Sequence, residues 1–165
     1  MIITNRLILI DLQPEELRFW LDDCSALERK YIVTYRGEDL SGEFGSIVAK
    51  QTAVVENDPS HYIWLTFWWF VRQSDRVVLG SACFKSIPHD GQVEIGYGIG
   101  SDYALHGYTT EAVKALCTFA FTFAEVKTII AETDPKNIAS QRVLQKCGMV
   151  KYQADEKSIW WRLEK

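Results

Sequence analysis

The sequence predicts an α/β (α+β) fold: one domain over residues 1–165, with a mixed, mostly antiparallel central sheet flanked by helices. Three observations carry that expectation. The chain has 165 residues and is 47% hydrophobic, enough for one core without disulfide or metal staples. Its middle alternates apolar runs with tight turns, the pattern of an antiparallel meander. Its second half alternates strand-period and helix-period segments as β-α-β-α-β, which lays helices against a sheet.

The elements follow in order. Leu7 to Asp11 reads as a first strand. Pro14 opens a helix with Glu15 and Glu16 in its first turn, where the helix dipole favours carboxylates. Leu17, Trp20, Leu21 and Cys24 recur at helical spacing and give that helix one buried side. Arg36 to Phe44 is loop-like, a second helix runs from about Gly45 to Glu56, and Asp58-Pro59 ends it. Strands are expected over Ile63–Arg72, Val77–Ile87 and Val93–Ile99, joined by turns at Gln73-Ser74-Asp75 and Pro88-His89-Asp90-Gly91. A long helix from Gly107 to Phe123 follows, with Leu116, Phe119, Ala120 and Phe123 as its apolar stripe. Then come a strand at Thr128–Glu132, a helix at Ile138–Lys146 and two closing strands.

Composition excludes several functions. The formal net charge is −4, with 18 Lys and Arg against 22 Asp and Glu, so the basic footprint of a general nucleic-acid binder is missing. Cys24, Cys83, Cys117 and Cys147 show no C-x-x-C or Cys/His spacing, so free thiols and no metal site are expected. Met1 to Arg6 has no signal-peptide pattern. The most apolar window, Tyr62 to Val71, is about half the length of a bilayer-spanning helix. A cytoplasmic chain with no membrane partner is the expectation.

Three segments carry chemistry. In Val93-Glu94-Ile95-Gly96-Tyr97-Gly98-Ile99-Gly100, three glycines alternate along a strand. Repeated strand glycines mark a bulge, a ligand close to the backbone, or crowding by a neighbour. They are not a dinucleotide fingerprint, because Tyr103 stands where the third glycine would fall. His106-Gly107-Tyr108-Thr109-Thr110-Glu111-Ala112 opens the long helix with free amides and hydroxyls, which suit a phosphate as well as ordinary capping. In Asp134-Pro135-Lys136-Asn137-Ile138-Ala139-Ser140-Gln141-Arg142-Val143-Leu144-Gln145-Lys146-Cys147-Gly148-Met149, Asn137 can cap the helix and Gly148 can end it in a left-handed conformation. That local logic leaves Ser140 unexplained.

In their order and spacing these segments resemble the GNAT acetyltransferases, in the branch that includes the ribosomal-protein alanine N-acetyltransferases. The resemblance begins at Thr4-Asn5-Arg6-Leu7 and takes in Leu79-Gly80-Ser81 and the three segments above. It is poorest over Tyr31 to His61. It implies acetyl-CoA as cosubstrate, no metal, and an acceptor amine on a small molecule or a protein N-terminus, in a monomer or homodimer. The strand Ile95–Ile99 would splay from its neighbour and pair with the pantetheine arm and the acetyl carbonyl. Gly107, Tyr108, Thr109 and Thr110 would cradle the pyrophosphate, Asn137 would contact the pantetheine, and Ser140 would face the thiol.

The chain departs from the family at Ala104 and Leu105, where a Gln, Arg or Trp and then a Gly are usual, and at Thr109, usually Gly or Ala. Leu105 is then asked for the positive φ that glycine takes cheaply. Leu144 replaces a Tyr that serves many members as proton donor, which leaves Ser140 or Tyr97 as the acid. Glu94, beside the acetyl site, is the candidate base. His61, His89 and His106 lie in loops or turns without a visible partner. Glu38, Asp39, Glu43, Glu56 and Asp58 could form an acidic rim for an amine or merely a solvated surface. Two other readings compete: a degenerate acyl-CoA-binding module acting as sensor or interaction domain, and a nucleotide-binding α/β domain with an incomplete phosphate fingerprint.

Overall fold

In the computed structural model, which describes residues 1–165, one sheet runs through the molecule. The strands are β1 (Ile2–Ile3), β2 (Leu7–Asp11), β3 (Thr34–Tyr35), β4 (Phe67–Arg72), β5 (Val77–Phe84), β6 (Gln92–Ile99), β7 (Thr128–Thr133), β8 (Val150–Ala154) and β9 (Ile159–Glu164). Their order is β1-β2-β4-β5-β6-β7-β9-β8, with β3 beside β5. Only β3–β5 and β6–β7 are parallel pairs. The helices are α1 (Pro14–Asp22), α2 (Cys24–Tyr31), α3 (Glu43–Asn57), α4 (Tyr62–Leu65), α5 (Tyr108–Ala120) and α6 (Ile138–Lys146). None is long and apolar enough to cross a membrane.

The mixed, mostly antiparallel sheet with flanking helices follows the sequence expectation, and the local differences have physical causes. The first helix breaks at Asp23, whose φ of −150° is not helical, so Cys24 heads a new helix instead of completing the first. The apolar run expected as one strand from Ile63 divides. Tyr62–Leu65 coils into α4, and β4 begins only at Phe67. Thr66 makes the break by donating its hydroxyl to the Leu12 carbonyl at 2.5 Å. An apolar run this uniform has no period from which to choose helix or strand. The strand expected to Ile87 ends at Phe84, and the helix expected to Phe123 ends at Ala120.

Trp20, Trp68, Trp69, Phe70 and Phe84 are the largest fully buried side chains of one apolar cluster spanning both helical layers. Trp20 meets Tyr35, Phe44, Phe67 and Trp69 edge-on, with ring centroids 5.4–5.9 Å apart. That cluster fixes α1 and α3 over the sheet. Glu16, buried in α1, is fully satisfied: it accepts from the Gln13 amide at 2.6 Å, from the Tyr31 hydroxyl at 2.7 Å, and from Lys30.

The feature that positions the site is a split in the sheet. β6 and β7 pair only over Gln92–Glu94 against Thr128–Ile130. Beyond Glu94 they diverge, while β6 stays bonded to β5 as far as Ile99. The Lys85 amide donates to the Glu94 carbonyl, and the Gly100 amide to the Leu79 carbonyl. Antiparallel bonding alternates along a strand, so the N–H and C=O groups of Ile95, Tyr97 and Ile99 face the opened gap.

Candidate acyl-transfer site

Two clefts meet at the split. One, of about 350 Å³, runs from Tyr97, Gly98 and Ile99 to the start of α5 and along α6. The other, of about 500 Å³, lies between β5, β6 and α3. Glu38, Tyr97, Gly98, Asn137 and Ser140 line both, so the junction is where two reactants would meet.

The first cleft gathers most of the residues assigned to coenzyme binding: Ile99, Gly107, Thr109, Thr110, Asn137 and Ser140. Gly107 caps α5 at φ 81°, a left-handed conformation that glycine takes without penalty. The first bond of α5 runs from the Glu111 amide to the Gly107 carbonyl, so the amides of residues 108–110 have no partner in the helix. Tyr108 is not among the residues that line the cleft. Its ring is turned away from the cleft and carries the Arg6 guanidinium 4.5 Å from its centroid. Glu111 ties this helix start to the β1–β2 turn, accepting from the Thr4 hydroxyl at 2.6 Å and from Arg6 Nε at 2.7 Å.

Leu105 does adopt the left-handed backbone expected of a glycine, at φ 64°, and the residue is 89% exposed. The departure from the family pattern is therefore a local strain of about 1–2 kcal/mol rather than a loss of loop shape. Leu144 is fully buried and offers no hydroxyl.

At the junction, the Tyr97 and Ser140 hydroxyls lie 2.7 Å apart. Burial pushes the Tyr97 phenol well above its ordinary range, so it stays protonated and can donate. Asn137 uses its Oδ1 to cap α6 through the Ser140 amide at 3.0 Å, which leaves its NH₂ group without a protein partner. Capping and ligand contact are compatible roles here.

Glu94 lies on β6 as expected, next to Ile95, which lines the second cleft. It follows the same face of β6 as Gly96 and Gly98, but its carboxylate lines neither cleft and pairs with Lys85 Nζ at 2.5 Å. The ion pair holds it at the closed end of the split. None of the histidines lines either cleft: His61 pairs with Asp58, His89 with Asp90, and His106, beside Gly107, bonds the Ala104 carbonyl. Of the acidic rim, only Glu38 lines these two clefts. Glu56 is taken by Arg18, and Asp39 by Ser41.

Glu38, which the sequence offers only as one of five rim carboxylates, stands at the junction of the two clefts. Its carboxylate lies directly over Gly98, where a Cβ would fall 1.6 Å from Glu38 Oε2. The glycine is needed neither for a bulge nor for an aromatic neighbour but to admit this side chain. Oε2 is buried without any hydrogen-bond partner.

Residues 6–150 match the family model described as an acetyltransferase (GNAT) domain, and the chain belongs to that family. An uncharacterised N-acetyltransferase of Bacillus subtilis, YjdG, is 29% identical over 84 residues. That stretch is 50% of this chain and 50% of YjdG, so the chain spans about half the length of the curated relative it matches. Among solved structures, a ribosomal-protein-S5-alanine acetyltransferase from Vibrio fischeri superposes with a TM-score of 0.68 at 16% identity, covering 99% of this chain and 95% of that one. A ribosomal L7/L12 α-N-protein acetyltransferase, solved in complex with coenzyme A, also gives 0.68, at 12% identity and 99% and 96% coverage.

Proposed function

We propose that this chain is an N-acetyltransferase that moves the acetyl group of acetyl-CoA to a primary amine of a small molecule or a protein N-terminus. The observation that carries the reading is the pair of clefts joined at the split between β6 and β7. One is suited to an acyl-CoA and the other is open to an acceptor.

The residues present fit the cosubstrate. Three unpartnered amides at the start of α5 suit a pyrophosphate, and Arg142 and Lys146 bring positive charge to the same cleft. The backbone groups of Tyr97 and Ile99 and the NH₂ of Asn137 are free to hold an amide-bearing arm. Bound there, acetyl-CoA supplies an activated acetyl thioester. Tyr97 and Ser140 then share a proton at the position where a thiolate would leave, and the carbonyl-facing backbone of β6 orients the acetyl group. Glu38, Glu132 and Asp134 outnumber Lys50 and Lys85 around the acceptor cleft, which suits a cationic amine as acceptor.

The test is a melting titration followed by thiol release. Acetyl-CoA at about a hundred times its dissociation constant should add roughly 2.7 kcal/mol, a shift on the order of 5–10 °C for a domain of this size. ADP should give part of it through the pyrophosphate site. No shift with millimolar acetyl-CoA would sink the reading. Binding without thiol release to any amine in a broad panel would favour the sensor module instead, in which the departure at Leu144 has removed turnover.

A further inference from the structure

We propose that Glu38 is the catalytic base of the acceptor cleft: its carboxylate receives the protonated amine over Gly98 and takes its proton. The proposal rests on the acetyl-transfer reading above and gives the base role to a different residue from the one the sequence suggests.

Four observations converge. Glu38 lines both clefts and so sits where an acceptor nitrogen and an acetyl carbon would meet. Its Oε2 is buried with no donor from the protein, a state that usually has an explanation in native structures. Gly98 lacks the side chain that would displace it. Its loop is fixed from below, because the Tyr35 hydroxyl donates to the Glu38 carbonyl at 2.8 Å. A buried carboxylate ordinarily finds a lysine, as Glu16 does, and even Glu94 Oε1, likewise buried without a hydrogen bond, lies 2.5 Å from Lys85 Nζ. Glu38 finds none.

The groups around it are Tyr35 at the end of β3, Arg36 and Asp39 on its own loop, Lys50 from α3, Lys85 just past β5, Tyr97 from β6, Asp102 after β6, Glu132 and Asp134 at the end of β7, and Arg142 and Lys146 from α6. No cation among them is within ion-pairing distance, and Lys85 is held by Glu94. Burial alone raises the Glu38 carboxyl above the ordinary carboxylate range. A raised carboxyl is a stronger base than a surface one, and an arriving ammonium is the partner it lacks.

The step balances without a co-reactant. The ammonium gives one proton to Glu38, and the freed lone pair forms the C–N bond to the thioester carbon as C–S breaks. The Tyr97–Ser140 hydroxyl pair returns a proton to the sulfur and recovers one from the second N–H of the amine. Glu38 then releases its proton to water through the open cleft.

The first experiment needs no knowledge of the natural acceptor. The full chain is labelled with carboxyl-¹³C glutamate and titrated with coenzyme A bound, and the resonance missing from Glu38→Gln is assigned to Glu38. Its midpoint should lie above the ordinary glutamate value of about 4.3, and excess methylammonium should lower it by favouring the charged form. A midpoint in the ordinary range that methylammonium does not move overturns the proposal. The second experiment follows thiol release with benzylamine and a glycyl tripeptide as acceptors. Glu38→Gln should lower kcat/KM by about 10²-fold, most severely at low pH, with partial recovery as the free amine fraction rises. Glu38→Asp should retain part of the activity. Wild-type turnover in the Gln variant across the pH range also overturns it. Failure of the parent reading looks different: the wild-type chain would show no acetyl-CoA melting shift.

Discussion

The floor of the site, from β6 through α6, takes its shape from backbone, whereas the roof, from α1 through α3, takes its shape from side chains. On the floor, the parts that matter are an unpaired strand edge, a glycine at φ 81° and three free amides at a helix start. In the roof they are the edge-on ring contacts of Trp20 and the differing fates of two carboxylates, Glu16 and Glu38. Backbone devices tolerate sequence change as long as the chain path survives, as Leu105 shows by holding a glycine's conformation. Side-chain devices do not. The comparison predicts that substitutions in the roof's packing will act mainly on stability and substitutions at the start of α5 mainly on cosubstrate affinity.

The largest expected effect lies in the roof. Trp20 is fully buried against four aromatic rings, so Trp20→Ala should cost about 3–5 kcal/mol through the cavity it leaves. Urea denaturation measures this directly. A loss under 1 kcal/mol would mean that α1 and α3 reach the sheet without the aromatic lock. Glu16→Gln comes next, at about 2 kcal/mol, because it removes a charged acceptor from several hydrogen bonds at once.

Substitutions on the floor should read out in binding. Gly107→Glu puts a carboxylate where the free amides of α5 invite a phosphate. Acetyl-CoA binding should weaken at least tenfold, about 1.4 kcal/mol, measured by calorimetry on the folded variant. Gly107→Asn is the control, since Asn tolerates the left-handed backbone and adds no charge. If both variants bind equally well, the phosphate cradle is elsewhere. Leu105→Gly should stabilise the fold by roughly 0.5–1 kcal/mol by relieving positive-φ strain. Its exposed side chain has little packing to lose. A neutral result would show that the loop relaxes around Leu105 at no cost.

The same contrast explains what could be read from the sequence. Floor motifs are local: Asn137 caps the helix it precedes, Gly107 begins the helix it caps, and Tyr97 is two residues along one strand from Ile99. Contiguous residues that act through their own backbone leave a linear trace. Glu38 leaves only the trace of one acid among several, because its meaning comes from Gly98, sixty positions away, and the pairing exists only once β3 and β6 both pair with β5. The partner of Glu94 is hidden for a similar reason. The place of Glu94 on the strand was right, but Lys85, just past the neighbouring strand, decides what its carboxylate does. The division at Thr66 was also hidden, since a hydroxyl bonded to Leu12 ends a run whose apolarity looks continuous.

The smallest predicted effect is the most diagnostic, because Glu16 and Glu38 should respond to the same substitution with opposite sign. Burial without a partner raises the Glu38 carboxyl in the folded chain. The folded chain therefore binds a proton more readily at this site than the unfolded chain does. Stability from this group is complete below the unfolded value of about 4.3 and is lost as pH rises through the folded midpoint. Gln is neutral at every pH and escapes that loss. Glu38→Gln should thus melt with the wild type in acid and above it at neutral pH, with the gap opening between the two midpoints and flat beyond them. Other carboxylates titrate in both proteins and cancel in the difference. Glu16→Gln, whose charge is satisfied, should melt below the wild type at neutral pH. A Glu38→Gln difference that is constant with pH would point to packing rather than charge. One that runs with the sign of Glu16→Gln would mean that Glu38 has found a partner in solution, and the carboxylate would no longer be free to meet an amine.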